Sequence, residues 1–197
     1  MPEPDLVIGS SPPLTVAATS ALVANLRGVP WLFEVQDLWP DFPIQMGVLD
    51  QPGIRHGLYG LESMLYRTAQ QVVTPSPDMT KHVRTVAPST DSTTIEYGSS
   101  LQLVSDISEE QQTRLRRRFS LDDRSLVLYA GAFGRANAIP TLIDAANQFA
   151  QDSDVLFAFA GHGYHEPTVQ QAAQKHEHIR HVPPLSYPDA LTLFSIA

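Results

Sequence analysis

Three stretches of this 197-residue chain carry residue types at spacings that could do chemistry. The first is Tyr129-Ala-Gly-Ala-Phe-Gly-Arg-Ala-Asn137, set between an apolar run and a helical pattern. A glycine-bearing turn from strand to helix lets backbone amides approach an anion, and the helix N-terminus that follows adds a partial positive charge. Gly131 and Gly134 supply the turn, and Arg135 could add a charge-assisted bond to phosphate oxygens. The stretch contains neither G-x-G-x-x-G nor G-K-[ST], so it is not a dinucleotide fingerprint or a P-loop. A tight turn with a surface arginine is the alternative. The second is Ala160-Gly-His-Gly-Tyr164, closing the next apolar run. Ligands of open α/β sheets bind at the carboxyl ends of strands, so Gly161, His162 and Gly163 could line a base or ribose pocket. A plain strand-to-helix turn accounts for them equally well. The third is Phe33-Glu-Val-Gln-Asp-Leu-Trp-Pro-Asp41, which puts Glu34, Asp37 and Asp41 around a strand end. Carboxylates there could bind hydroxyls or act as a base; solvated loop acids are the alternative.

Other clusters point to less. His176, His178 and His181 fit no metal-ligand spacing and read as surface histidines. Arg114, Arg116, Arg117 and Arg118 read as a solvated helix face, with a weak contact to anionic lipid heads as the alternative. There is no G-x-S-x-G, hence no nucleophile elbow. With no cysteine there is neither a disulfide framework nor a thiolate metal site. The net charge of −8 argues against nucleic acid as a partner across a broad face. The absence of a long apolar run and of a basic start at Met1-Pro-Glu-Pro-Asp5 predicts a cytoplasmic location.

The elements that must position these residues alternate. Short apolar runs at Leu6–Gly9, Trp31–Val35, Gln71–Thr74 and Thr93–Glu96 read as strands. Between them, residues 14–26, 54–68 and 77–86 read as helices, the last opened by Ser76 as N-cap with Pro77 behind it. Residues 36–52 read as a long loop. In the second half, Ser108-Glu-Glu-Gln111 has the form of a capping box, opening a helix that ends in Arg116–Arg118. Strands are expected at 125–130, 155–160 and 178–182, and helices at 140–150, 168–176 and from Ser186 onward. Strands joined by helical crossovers predict parallel sheets in an α/β fold. The polar, Ser-rich stretch 97–107 marks the boundary between domains at 1–100 and 101–197.

Taken in order, Pro4-Asp-Leu-Val-Ile-Gly-Ser-Ser-Pro-Pro13, Gly28-Val-Pro-Trp-Leu-Phe-Glu-Val-Gln-Asp-Leu-Trp-Pro40, Tyr129-Ala-Gly-Ala-Phe-Gly134 and Phe159-Ala-Gly-His-Gly163 resemble the retaining nucleotide-sugar glycosyltransferases of family 4. The likeness is to the bacterial branch that builds surface polysaccharides and carries a Glu-Val-Arg-Asp-Leu-Trp-Pro signature. The Asp-Leu-Trp-Pro block is its most specific part. The resemblance implies a GT-B fold of two Rossmann-like domains, with the acceptor on the first and the nucleotide-sugar donor on the second. It implies that Asp37 and Glu34 serve the acceptor side, as the candidate catalytic pair. It implies that Gly131, Gly134 and Arg135 face the donor diphosphate, and that Gly161, His162 and Gly163 face the nucleoside. It also implies no metal and no cofactor. It further implies that the leaving phosphate itself takes the acceptor proton and that the acceptor is a saccharide or a lipid-linked saccharide, which adds the inner-membrane surface as an expected site of action.

The sequence departs from that pattern in several places. Gln36 stands where a basic residue is common, Ala138 where this branch often has glycine, and Tyr97-Gly98 where Asn-Gly often precedes the interdomain linker. No Glu-x7-Glu pair follows the second glycine turn before Ala197, and no strand with a glycine-rich loop precedes Pro4. Both domains are therefore expected to be partial, each leaving an exposed sheet edge and an uncovered apolar face. That expectation sets a non-catalytic or split-enzyme module, completed by a second chain, beside the enzyme as an alternative. A sugar-nucleotide epimerase of the same fold is a third possibility, weakened by the Asp-Leu-Trp-Pro block.

Overall fold

The computed structural model describes residues 4–99, 106–152 and 154–197. Most of the boundary expected within 97–107 lies outside them. Contacts divide the chain into two compact units, Met1–Gly98 and Ser99–Ala197.

Unit 1 is built on a four-stranded parallel sheet of order β1-β2-β3-β4: Val7–Ser11, Trp31–Val35, Gln71–Thr74 and Ser92–Thr94. Helices α1 (Leu14–Arg27), α2 (Asp41–Gln45), α3 (Pro52–Thr68) and α4 (Pro77–Val86) connect them. Because the strands follow one another across the sheet, right-handed crossovers bring α1, α3 and α4 to one face. That face holds the core: Leu14 and Ala17 of α1, Phe33 and Val35 of β2, Leu65 and Tyr66 of α3, Val72 of β3 and Val83 of α4. Gly9 permits the close seat of α1, since a Cβ there would fall 2.5 Å from Cβ of Ser20. The other face carries Ile8 in register with Leu32, and Ser10, Glu34, Val73 and Thr93 in one cross-strand row. It is open: Ile8 is 63% and Ile95 61% exposed. The uncovered face expected from sequence is therefore present in unit 1.

The stretch read as a loop over 36–52 contains the single turn α2. Pro40 is its N-cap and Pro43 lies in its first turn, where no backbone N–H is required. Strand β1 runs on to Ser11 because Gly9–Ser11 pair with Phe33–Val35.

Unit 2 has a three-stranded parallel sheet of order β5-β6-β7: Ser125–Ala130, Val155–Ala160 and Ile179–Val182. Its helices are α5 (Glu109–Arg118), α6 (Ile139–Asn147), α7 (Glu166–Lys175) and α8 (Tyr187–Ser195). The expected capping box forms: the Ser108 hydroxyl accepts from Gln111 N–H, and the Ser108 N–H donates to Oε1 of Gln111 at 2.8 Å. Alternation along β6 separates two cores. Phe159 packs with Phe133, Ile139, Ile143 and Val169 of the α6/α7 layer, whereas Leu156, Ala158 and Ala160 pack with Leu115 and Leu193 of the α5/α8 layer. Both faces of this sheet are thus covered, and the expected open apolar face is absent here. Val127 on β5 stays 48% exposed.

Ala138 holds a left-handed conformation at φ 48°, ψ 33°, between a short 3-10 turn (Arg135–Asn137) and α6. An L side chain pays about 1–2 kcal/mol for that conformation and glycine does not. Ala138→Gly is therefore expected to stabilise unit 2 by about 1 kcal/mol, read as a raised urea midpoint.

Candidate functional site

In unit 2, β5 and β6 end side by side at Ala130 and Ala160, and each runs into one of the two glycine turns. A pocket of about 310 Å³ opens there, lined by Ala130, Gly131, Ala132, Gly161 and His162, and closed by Leu193 and Phe194 of α8. Strand ends of this kind are where open α/β sheets take ligands. Gly131, Gly161 and His162 are brought together at this pocket. Gly134, Arg135 and Gly163 do not line the pocket. Gly134 leads into the 3-10 turn that holds Arg135, and Gly163 packs on the backbone of Phe133.

The two turns are bound to each other before any ligand arrives. Gly131 N–H donates to the Ala160 carbonyl at 2.9 Å, Phe133 N–H to that of His162 at 2.8 Å, and His165 N–H to that of Phe133 at 2.8 Å. Gly161 N–H is taken by the Val182 carbonyl. The amides of Gly131 and Gly161 are therefore already committed. These glycines contribute their missing side chains, which leave room for the pocket and for the crossing of the turns. The phenyl ring of Phe133 is fully buried between the turns, and the Tyr129 hydroxyl donates to the Ala132 carbonyl at 2.8 Å, bracing the first turn from below. Arg135 is exposed, and among the described residues its guanidinium makes no hydrogen bond or ion pair. It lies over the ring of Tyr164 at 4.2 Å.

Two of the three histidines, His178 and His181, differ from the surface reading. His178 is 6% exposed, with Nε2 3.1 Å from the Ala146 carbonyl. His181 packs its ring against Phe133 and sits 3.7 Å from a Glu166 carboxylate oxygen. The turn into β7 and the pleat direct both inward. Among the described residues no cluster of three His, Asp or Glu side chains could hold a metal ion. In the Arg run, Arg116 donates to the carbonyls of Asp122 and Ile196 and Arg118 pairs with Asp189, so only Arg114 and Arg117 remain without partners among the described residues.

In unit 1, Glu34 is half-buried on the open face, next to the last residue of β2, and Asp37 is exposed beyond the strand. Asp41, at the start of α2, accepts a 2.5 Å bond from the Tyr59 hydroxyl, and that bond raises the Tyr59 pKa. One turn further along α3 lies a buried group that the sequence reading missed. Oε1 of Glu62 accepts from the Tyr66 hydroxyl at 3.0 Å and is 2.9 Å from Nε2 of His82, while its buried Oε2 has no partner. Its signal was a glutamate inside the Leu58, Leu61, Leu65 stripe, four residues before a tyrosine. Burial pushes the Glu62 carboxyl above the usual range, against the opposing bonds from His82 and Tyr66. The folded state therefore holds this proton to higher pH than the unfolded chain does. The contribution is favourable below the ordinary value of about 4 and is lost as pH rises through the raised one. Glu62→Gln removes that dependence. Urea midpoints at about pH 4 and about pH 7 should show the variant gaining on the wild type at the higher pH. A larger groove of about 570 Å³ between α1 and α3 is lined by Ala18, Leu22, Met64 and Thr68, has no charged group, and lies toward the strand starts.

The fold is α/β with parallel sheets, of the GT-B type. Residues 2–98 match the glycosyl transferase 4-like domain. Over 186 residues the chain is 26% identical to WcaI of Escherichia coli strain K12, assigned as a colanic acid biosynthesis glycosyl transferase, covering 88% of this chain and 44% of that one. The solved structure of HepE of Anabaena in complex with UDP superposes with a TM-score of 0.74 at 15% identity, over 96% of this chain and 50% of that one. Sucrose-phosphate synthase of Thermosynechococcus elongatus gives 0.74 at 19% identity, over 98% and 48%. The chain thus spans about half the length of these relatives. No described helix is long and apolar enough to cross a membrane.

Proposed function

We propose that this chain is part of a retaining glycosyltransferase that moves a hexosyl unit from a nucleotide-sugar to a saccharide or lipid-linked acceptor in cell-surface polysaccharide synthesis. Unit 2 takes the donor, and unit 1 serves the acceptor. The observation that carries this reading is the pocket over the ends of β5 and β6, framed by both glycine turns and α8. The likeness to a UDP-bound structure supports a nucleoside diphosphate as its occupant. The nucleoside lies against Gly161 and His162 and the diphosphate against Gly131, while Gly134 and Gly163 shape the turns and Arg135 reaches the diphosphate from outside the pocket lining. Charge on the leaving diphosphate is met by the Arg135 guanidinium and by the start of α6, with no metal ion required. An acceptor hydroxyl forms the new bond at the anomeric carbon as the bond to the diphosphate breaks, and the leaving phosphate oxygen takes the hydroxyl proton. Glu34 and Asp37 orient the acceptor hydroxyls. The work is done in the cytoplasm, at the inner-membrane face when the acceptor is lipid-linked.

Calorimetry with UDP, GDP and ADP, followed by hydrolysis assays on the matching sugar nucleotides, tests the reading. Binding of one diphosphate together with turnover supports it, and no binding of any of the three overturns it. The open face of unit 1 favours a second reading, a module that pairs with another chain. Binding without turnover, with turnover restored by a partner chain, selects that one.

A further inference from the structure

Arg135 and Tyr164 stand on different glycine turns, 29 positions apart, yet the guanidinium lies over the tyrosine ring at 4.2 Å. Tyr164 is flanked by residues anchored to the first turn. His165 N–H donates to the Phe133 carbonyl, and Gly163 is seated so closely on Phe133 that a Cβ would come within 3.0 Å of its backbone. The tyrosine ring is also held edge-on to the His165 ring at 4.9 Å. The backbone on both sides of Tyr164 is therefore tied to the turn that carries Arg135, while the ring itself is 62% exposed. Stacking engages one flat face of a guanidinium and leaves its rim of five donors free. Arg135 makes no ion pair or hydrogen bond among the described residues, so that rim is unspent.

We propose that Tyr164 is a positioning residue for Arg135: its ring holds the guanidinium beside the glycine turns, with the N–H donors open to an incoming phosphate. A flexible arginine would lose rotamer freedom on meeting the anion, and one resting on a ring has lost part of it already. The aromatic residue directly after Gly163 is thus part of the anion site, contributed by the second turn to the first. This inference rests on the donor-diphosphate reading of unit 2.

The test is calorimetric titration of UDP and of inorganic pyrophosphate into the full chain and its variants. Tyr164→Ala is expected to weaken both about three- to fivefold, on the scale of an exposed cation–π contact. Tyr164→Phe keeps the stacking face and is expected to bind like wild type, which a role for the hydroxyl would not allow. In the Arg135→Ala background, Tyr164→Ala should cost nothing further, because there is no cation left to position. Wild-type affinity in Tyr164→Ala, or a second full loss in the double variant, overturns the proposal while leaving the anion site standing. Unchanged affinity in Arg135→Ala, or no binding by wild type, overturns the anion-site reading and the proposal with it. Thermal melts of each variant separate lost folding from lost positioning.

Discussion

Gly161→Ala is expected to destabilise unit 2 by about 3 kcal/mol or more, combining backbone strain with steric overlap. Gly161 has φ 149°, a conformation that side-chain-bearing residues rarely adopt. A Cβ there would overlap the carbonyl oxygen of Gly131, which is backbone and cannot swing aside. Relief requires the turns to separate, at the expense of the Gly131–Ala160 hydrogen bond and the seat of Phe133. Gly131→Ala makes the control. Its Cβ would meet the Tyr129 hydroxyl oxygen at 3.4 Å, near ordinary contact, and its φ is not in the positive range. Less than about 1 kcal/mol is expected there. Urea denaturation of both variants, followed by a probe in unit 2, should separate them clearly. Equal midpoints would show that the crossing of the turns is not what the glycines serve. Gly161→Ala should also abolish nucleoside diphosphate binding, since the pocket wall moves with the turn.

Arg135→Ala is expected to weaken nucleoside diphosphate binding by about 1–3 kcal/mol, the scale of a charged hydrogen bond. None of the residues lining the pocket is an arginine, lysine or carboxylate. The amides of Gly131 and Gly161 are already spent within the fold. The groups left to meet an anion are the amides of Ala132 and His162, the His162 ring, Arg135 and the start of α6, and of these Arg135 carries the permanent charge. Arg135→Lys should recover only part of the loss, because an ammonium neither stacks as flatly nor offers a planar donor edge. Raising salt should narrow the gap between wild type and Arg135→Ala, as expected for an exposed charge. Equal affinity of wild type and Arg135→Ala in calorimetry would remove the site.

The expected strands Trp31–Val35, Gln71–Thr74, Ser125–Ala130 and Val155–Ala160 all form with those bounds. Short apolar runs cut off by Gly, Pro or polar residues leave a buried strand as their only economical conformation. The caps at Ser76 and Ser108 were legible for a related reason, since each bond spans only three residues. The candidate residues were less so. Residue type and order placed Gly131 and Gly161 at strand ends, but each glycine's task depends on a neighbour about thirty positions away. Glu62 shows the same limit, because the His82 that faces it lies on the next helix, beyond a strand.

The local code of this chain, apolar runs, punctuating Gly and Pro, and serine caps, determined by itself where the strands and all the described helices but α2 form, and that their alternation makes parallel sheets. Those choices rest on interactions within a few residues, whose free energy is set before the chain is compact. Only the tertiary structure decided that unit 2 covers both faces of its sheet, that His178 is buried, and that Arg135 rests on Tyr164 with its donors free. These depend on which surfaces meet when distant segments pack, and short-range patterns carry no record of that.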